Sequence, residues 1–185
     1  MISAPQLLIL FRAACAPAIF VLACFGWPGR VLAGVLVAGF LSDVFDGVIA
    51  RRMGTATPTL RYADTLADTA FYIAAAAALA IAVPGAFEAS WLPLVALVAI
   101  HVSRATFELT KYGRIASYHM WSSKAFGLLL VVALTYGFVT GVPNPLVAWA
   151  VWWGIFNELE GFATSAILPA WVPDVPSVLH AYRRS

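Results

Sequence analysis

Asp43-Val44-Phe45-Asp46-Gly47-Val48-Ile49-Ala50-Arg51, then Leu60, then Asp64-Thr65-Leu66-Ala67-Asp68, is the stretch on which the fold of this chain turns. It holds four of the nine acidic residues in the sequence, in two pairs. At about 100° per residue, Asp43, Asp46, Gly47 and Ala50 share one face of a helix, and Asp64 and Asp68 share a face of the next. Two facing helices would bring the four carboxylates together, a cluster that requires cations.

Around that stretch the composition is that of a membrane protein. Of the 185 residues, 62% are hydrophobic and 11% charged, against about 25% charge in an ordinary soluble domain. The apolar runs are long and repeated, without the basic region, short core and A-x-A site of a cleavable signal. The length suits one domain spanning residues 1–185. Cys15 and Cys24 lie nine residues apart on opposite sides of one helix, so they read as small apolar residues, neither a disulfide nor a zinc site. A net charge of +2, spread over the loops, is too small to suggest nucleic acid, and no nucleic-acid partner is expected.

A spanning helix needs about 20 largely apolar residues. Working outward, candidates cover about 6–26, 30–52, 61–83, 91–111, 118–140 and 146–168. The first is broken only by Arg12 and Pro17, the second ends on the first carboxylate pair and Arg51-Arg52, and the third starts with the second pair. In the third, the run Ala74–Ala78 allows close helix approach. Turns at Trp27-Pro28-Gly29, Gly54 to Pro58, Pro84-Gly85, Tyr112-Gly113-Arg114 and Gly141 to Pro145 separate the six. The tail, 169–185, mixes prolines with Trp, Leu, His and Arg and is expected to lie at the membrane interface. The fold expected is an all-α integral membrane protein, a six-transmembrane-helix bundle with a short interfacial C-terminal tail.

Loop charges orient it. Arg51, Arg52 and Arg61 lie in the second connection, Lys111 and Arg114 in the fourth, Arg183 and Arg184 in the tail, and only Arg30 on the other side. By the positive-inside rule both termini, both basic connections and the carboxylates face the cytoplasm. In a bacterium the membrane would be the inner, plasma membrane.

Each carboxylate inside a span costs about 2.5–3.5 kcal/mol on insertion scales, so four require compensation. Salt bridges to Arg51, Arg52 and Arg61 would supply some, but they leave the small residues Gly47 and Ala50 between the acids without a role. Two divalent ions would neutralise four carboxylates, and all-oxygen ligation favours Mg²⁺ or Mn²⁺. A pair of ions about 3.5–4 Å apart stabilises the attacking and leaving oxygens of a phosphoryl displacement. Gly47 and Ala50 leave room for a phosphate ester to approach the helix, and Arg51 can grip phosphate oxygens bidentately.

This arrangement resembles the signature of the CDP-alcohol phosphotransferase (CDP-alcohol phosphatidyltransferase) family, D-x-x-D-G-x-x-A-R-x8-G-x-x-x-D-x-x-x-D. Seven of its eight fixed residues stand at positions 43–68, Leu60 replacing the second glycine. The resemblance extends to six helices and an N-terminal Pro5…Arg12…Pro17, with Gln6 and Ile9 where related proteins show asparagine and a hydroxyl. It implies a phospholipid-synthesis enzyme of the bilayer that transfers a phosphatidyl group from CDP-diacylglycerol to a small cytosolic alcohol, phosphorylated or not, and releases CMP. Carried over by position, Asp43, Asp46, Asp64 and Asp68 would bind two metal ions, with Asp68 also the general base. Gly47, Ala50 and Arg51 would line the CDP-lipid site. Members of that family are often homodimers.

For the acceptor, Arg104 and Lys111 on the fourth helix, Arg114 after it and Lys124 on the fifth are the candidate phosphate ligands; the alternative is an internal Arg104–Glu108 pair with Lys111 and Arg114 enforcing topology. Asn157 and Glu160 are expected to face inward and meet a cation from the fourth or fifth helix. A different class of function, a non-catalytic or transport-type membrane protein using the carboxylates to bind ions, is disfavoured because the acids cluster at one membrane face and no broken-helix repeat is visible.

Overall fold

In the computed structural model the described residues are 4–53 and 57–183, with the side chains of 50–53, 58 and 61 outside the description. Among the described residues the chain is helical, without a strand. Its helices are α1 Ala4–Cys24, α2 Gly29–Met53, α3 Pro58–Ala82, α4 Trp91–Tyr112, α5 Trp121–Thr140, α6 Pro145–Ile167 and the short α7 Val178–Tyr182, with a 3₁₀ turn at Glu88–Ser90 before α4. Among the described residues five helices are long and apolar enough to cross a membrane: α1, Gly29–Ile49 of α2, Tyr62–Ala82 of α3, Glu88–Tyr112 and α5. The sixth long helix, α6, carries Asn157, Glu158 and Glu160 in its second half. Large apolar side chains such as Phe11, Ile73, Leu92, Leu128 and Trp149 point outward, far more exposed apolar surface than a soluble monomer carries.

The chain forms two compact units, residues 1–86 with 131–144, and 87–130 with 145–185. In the first unit α1 packs along both α2 and α3, which touch each other much less. Its buried stripe, Pro5, Ile9, Arg12, Cys15 with Ala16, Ile19 and Ala23, repeats at three- and four-residue steps, the period of a helix face buried between two others. On α3 the facing stripe is Ala67, Phe71, Ala75 and Ala78 with Leu79. Gly39 of α2 admits the Phe71 ring, since a Cβ there would lie 2.7 Å from its Cε2.

Helix α3 starts three residues earlier than its apolar run. Thr57 is the N-cap, its hydroxyl accepting from the Leu60 N–H at 3.2 Å, and Pro58 opens the first turn. This is the arrangement proline and a hydroxyl cap favour, and it leaves Leu60 half-buried.

In the second unit α4 packs on α6. The tail folds back onto protein. Leu168, Val175 and Ala181 bury themselves with Ala116, Tyr118 and Met120. The Asp174 N–H donates to the Ser117 carbonyl at 3.2 Å, and the Trp121 N–H to Pro176 at 3.1 Å. A segment with no helical periodicity thus gains its order from long-range packing against the α4–α5 connection.

Candidate functional site

The four signature aspartates converge, and the group they converge on is Arg12. Asp43 and the buried Asp46 come from α2, Asp64 and Asp68 from α3, and the arginine reaches them from α1, with none of its own side chain exposed. Its Nη1 lies 2.8 Å from Asp43 Oδ1, its Nε 2.8 Å from Asp68 Oδ1, and its Nη2 3.1 Å from Asp46 Oδ2 and against Asp64 Oδ1. One oxygen each of Asp43, Asp64 and Asp68 lies within 4.8 Å of the others. The expectation of two helices facing each other is therefore incomplete. A third helix supplies the pivot.

Several of these contacts have ion-pair distances without hydrogen-bond alignment: Arg12 Nε and Nη1, Asp46 Oδ2 and Asp68 Oδ1 are buried with no aligned partner among the described residues. The distances establish charge pairing; the poor angles mean that the oxygens are not held as a guanidinium fork holds a carboxylate. At an effective dielectric of about 20, each contact near 3 Å is worth about 5 kcal/mol, and each pair of carboxylates within 4.8 Å repels by about 3.5 kcal/mol. A single guanidinium charge faces four carboxylates, so the cluster stays formally short of cations, and the cost of removing the acids from water remains. The donor set, carboxylate oxygens alone with two of them buried and unaligned, fits hard divalent ions such as Mg²⁺ or Mn²⁺.

Gly47 sits half-buried on α2, one turn beyond Asp43. Ala50 and Arg51 continue that helix, but their side chains lie outside the described residues, as do those of Arg52 and Arg61, the alternative salt-bridge partners.

The second unit holds the acceptor candidates, each with a local partner. Arg104 Nε donates to Glu108 at 2.8 Å and its Nη1 to Glu158 at 3.0 Å. Glu108, fully buried, also accepts from the Ala116 N–H at 2.8 Å and from Ser165 at 2.7 Å. His101 Nδ1 lies 3.1 Å from Glu158. Lys111 donates to the carbonyls of Ser165 and Ala166 at 2.8 and 3.1 Å, and Tyr112 to those of Ser165 and Leu168 at 2.7 and 2.9 Å, so both satisfy the exposed carbonyls that end α6. Arg114 lies 5.1 Å from the centroid of the Trp171 ring, and Lys124 4.6 Å from that of Trp121. Burial raises the Tyr118 phenol above its ordinary range; the tyrosine hydrogen-bonds Ser165 at 2.8 Å.

On α6 the inward acid is Glu158 rather than Glu160. It continues the buried row through Gly154, Gly161 and Ser165, and Gly161 makes room for the guanidinium, a Cβ there falling 2.6 Å from Arg104 Cζ. Glu160 instead accepts from the Val178 N–H at 3.2 Å, and Asn157 accepts from Ser122 and Ser123 at 3.0 and 2.7 Å. Sequence reasoning placed Arg12 in the family pattern without giving it a partner, and missed Glu158. The signal for Arg12 was its register: a cation at a buried position of an otherwise apolar span needs an acid partner.

Among the described residues the chain is helical, with several helices long and apolar enough to cross a membrane and a group of aspartates that could hold a metal ion. The family model for CDP-alcohol phosphatidyltransferase matches residues 2–158. The chain belongs to that family of transferases. Neither the curated proteins nor the solved structures contain a match.

Proposed function

We propose that this protein is an integral membrane enzyme that transfers a phosphatidyl group from CDP-diacylglycerol to a small alcohol, releasing CMP. The observation that carries the proposal is the convergence of Asp43, Asp46, Asp64 and Asp68 on one point in a chain of this family. All six long helices would cross the bilayer, with both termini, the basic connections and the cluster on the cytoplasmic side. Acyl chains would then stay in lipid while nucleotide and acceptor arrive from the cytosol.

Two Mg²⁺ or Mn²⁺ ions held by the four aspartates would stabilise the attacking and leaving oxygens of the displacement. Asp68 takes the proton of the acceptor hydroxyl as that oxygen bonds to the β-phosphorus; the bond from this phosphorus to the bridging oxygen breaks, and CMP leaves with the electron pair. Gly47, Ala50 and Arg51 line the CDP-lipid site, with Arg51 binding the diphosphate. Arg104 and Lys111 stabilise the second unit through the partners they already have. Arg114 and Lys124, both exposed, keep the role of binding an acceptor phosphate.

The metal assignment is tested without turnover. Ions that bind only the folded protein raise its melting temperature, by about 2.7 kcal/mol of stability at a hundredfold excess over Kd. Mg²⁺ should stabilise the wild-type protein in detergent but neither Asp43→Asn nor Asp64→Asn. An undiminished Mg²⁺ response in both variants would sink the assignment. CDP-diacylglycerol offered with glycerol 3-phosphate, inositol phosphate, serine or free inositol would identify the acceptor.

A further inference from the structure

We infer that Arg12 is a positioning residue that competes with divalent cations for the four aspartates and so sets the cation concentration at which the site fills. The inference rests on the metal reading of the cluster proposed above.

Three observations carry it. First, all three guanidinium nitrogens are spent on the cluster, and between them they reach all four acids. The oxygens that a metal ion would take are thus the ones Arg12 contacts. Second, the contacts to Asp43, Asp46 and Asp68 hold by charge more than by direction, because Arg12 Nε and Nη1 and Asp46 Oδ2 lack aligned hydrogen bonds, and only Nη2 hydrogen-bonds, to Asp64. Another cation can replace such a contact without loss of an oriented bond. Third, the arginine cannot leave. It is fully buried, set in the α1 stripe between Ile9 and Cys15 with Ala16, and that helix packs along both α2 and α3. A guanidinium does not deprotonate in proteins, so its positive charge stays beside whatever ion binds and opposes it.

Arg12 therefore has two opposed effects. It holds the mutually repelling acids together when cations are scarce, and it raises the concentration of cation needed to occupy them. A residue that only packed or braced the helices would affect stability without moving that concentration.

The experiment is a Mg²⁺ titration of melting temperature in detergent, without substrate, on wild type, Arg12→Gln and Arg12→Lys. Wild type should show a saturable rise. Arg12→Gln should melt lower without Mg²⁺ and reach half of its Mg²⁺-induced rise at a concentration at least tenfold lower. If Arg12→Gln does not fold, Arg12→Lys decides. Its ammonium is a compact charge that cannot span four acids, and its midpoint should fall at least threefold. A midpoint equal to or above the wild-type value, in Arg12→Gln or failing that in Arg12→Lys, overturns the competition and leaves Arg12 a structural brace, with the metal site intact. A wild-type protein indifferent to Mg²⁺ would remove the metal reading itself, and the inference with it.

Discussion

Replacing Gly39 by alanine perturbs the packing that sets the distance between the two aspartate pairs. Gly39 lies one turn before Asp43 on α2, and Phe71 follows Asp68 by three residues on α3. A Cβ at position 39 would press into Phe71 Cζ and lie 2.7 Å from Cε2 and 3.0 Å from Cε1. The ring is fully buried, so it has nowhere to turn, and α2 must move away from α3 next to the cluster. Overpacking of this kind costs about 1–3 kcal/mol, while exchanging glycine for alanine in a helix returns up to about 1 kcal/mol. The net expectation is a loss of about 1 kcal/mol and a weaker cation response, because displaced carboxylates no longer converge. Thermal unfolding in detergent with and without Mg²⁺ reads both. In Gly39→Ala combined with Phe71→Leu, room is restored, and the double variant should lose less than the sum of the single losses. If Gly39→Ala melts at or above the wild-type temperature with an unchanged Mg²⁺ midpoint, the close approach does not position the cluster.

Four other substitutions have distinct expected outcomes. Asp68→Asn should lower kcat far more than it weakens CDP-lipid binding, measured by steady-state kinetics beside nucleotide titration; equal losses would make Asp68 a ligand and not a base. Glu158→Ala leaves Arg104 with Glu108 alone and should destabilise the protein by about 3 kcal/mol, whereas Lys124→Gln should leave the melting temperature unchanged and raise the acceptor KM for a phosphorylated alcohol. Leu60→Gly should loosen the start of α3 by about 1 kcal/mol with little effect on CDP-lipid affinity; a tenfold gain in that affinity would mean that the leucine obstructs the nucleotide.

The helices were legible in the sequence because a lipid-facing helix advertises its length through uninterrupted apolarity: each long helix lies within three residues of its expected bounds. The aspartate pairs were legible because helical spacing alone places them on faces. Arg12 was not given a partner because periodicity reports which face of a helix is buried, not which helix lies between two others. Here α1 fills that place. The confusion of Glu160 with Glu158 has a simpler cause. Two residues rotate the helix by about 200°, and Asn157, Glu158 and Glu160 stand too close in sequence for composition to choose among them. The tail's buried Leu168, Val175 and Ala181 are isolated apolar residues among prolines, so their partners at 116–120 are set by tertiary packing alone.

Release of CMP from CDP-diacylglycerol by purified protein, followed with Mg²⁺ present and with Mg²⁺ chelated, separates a metal-dependent transferase from a protein that only binds ions. Release should require both the divalent ion and an acceptor alcohol, and should disappear in Asp64→Asn while the variant remains folded. Wild-type protein that binds Mg²⁺ through its aspartates yet releases no CMP with any acceptor would contradict the proposed transfer, leaving an ion-binding membrane protein in place of a transferase.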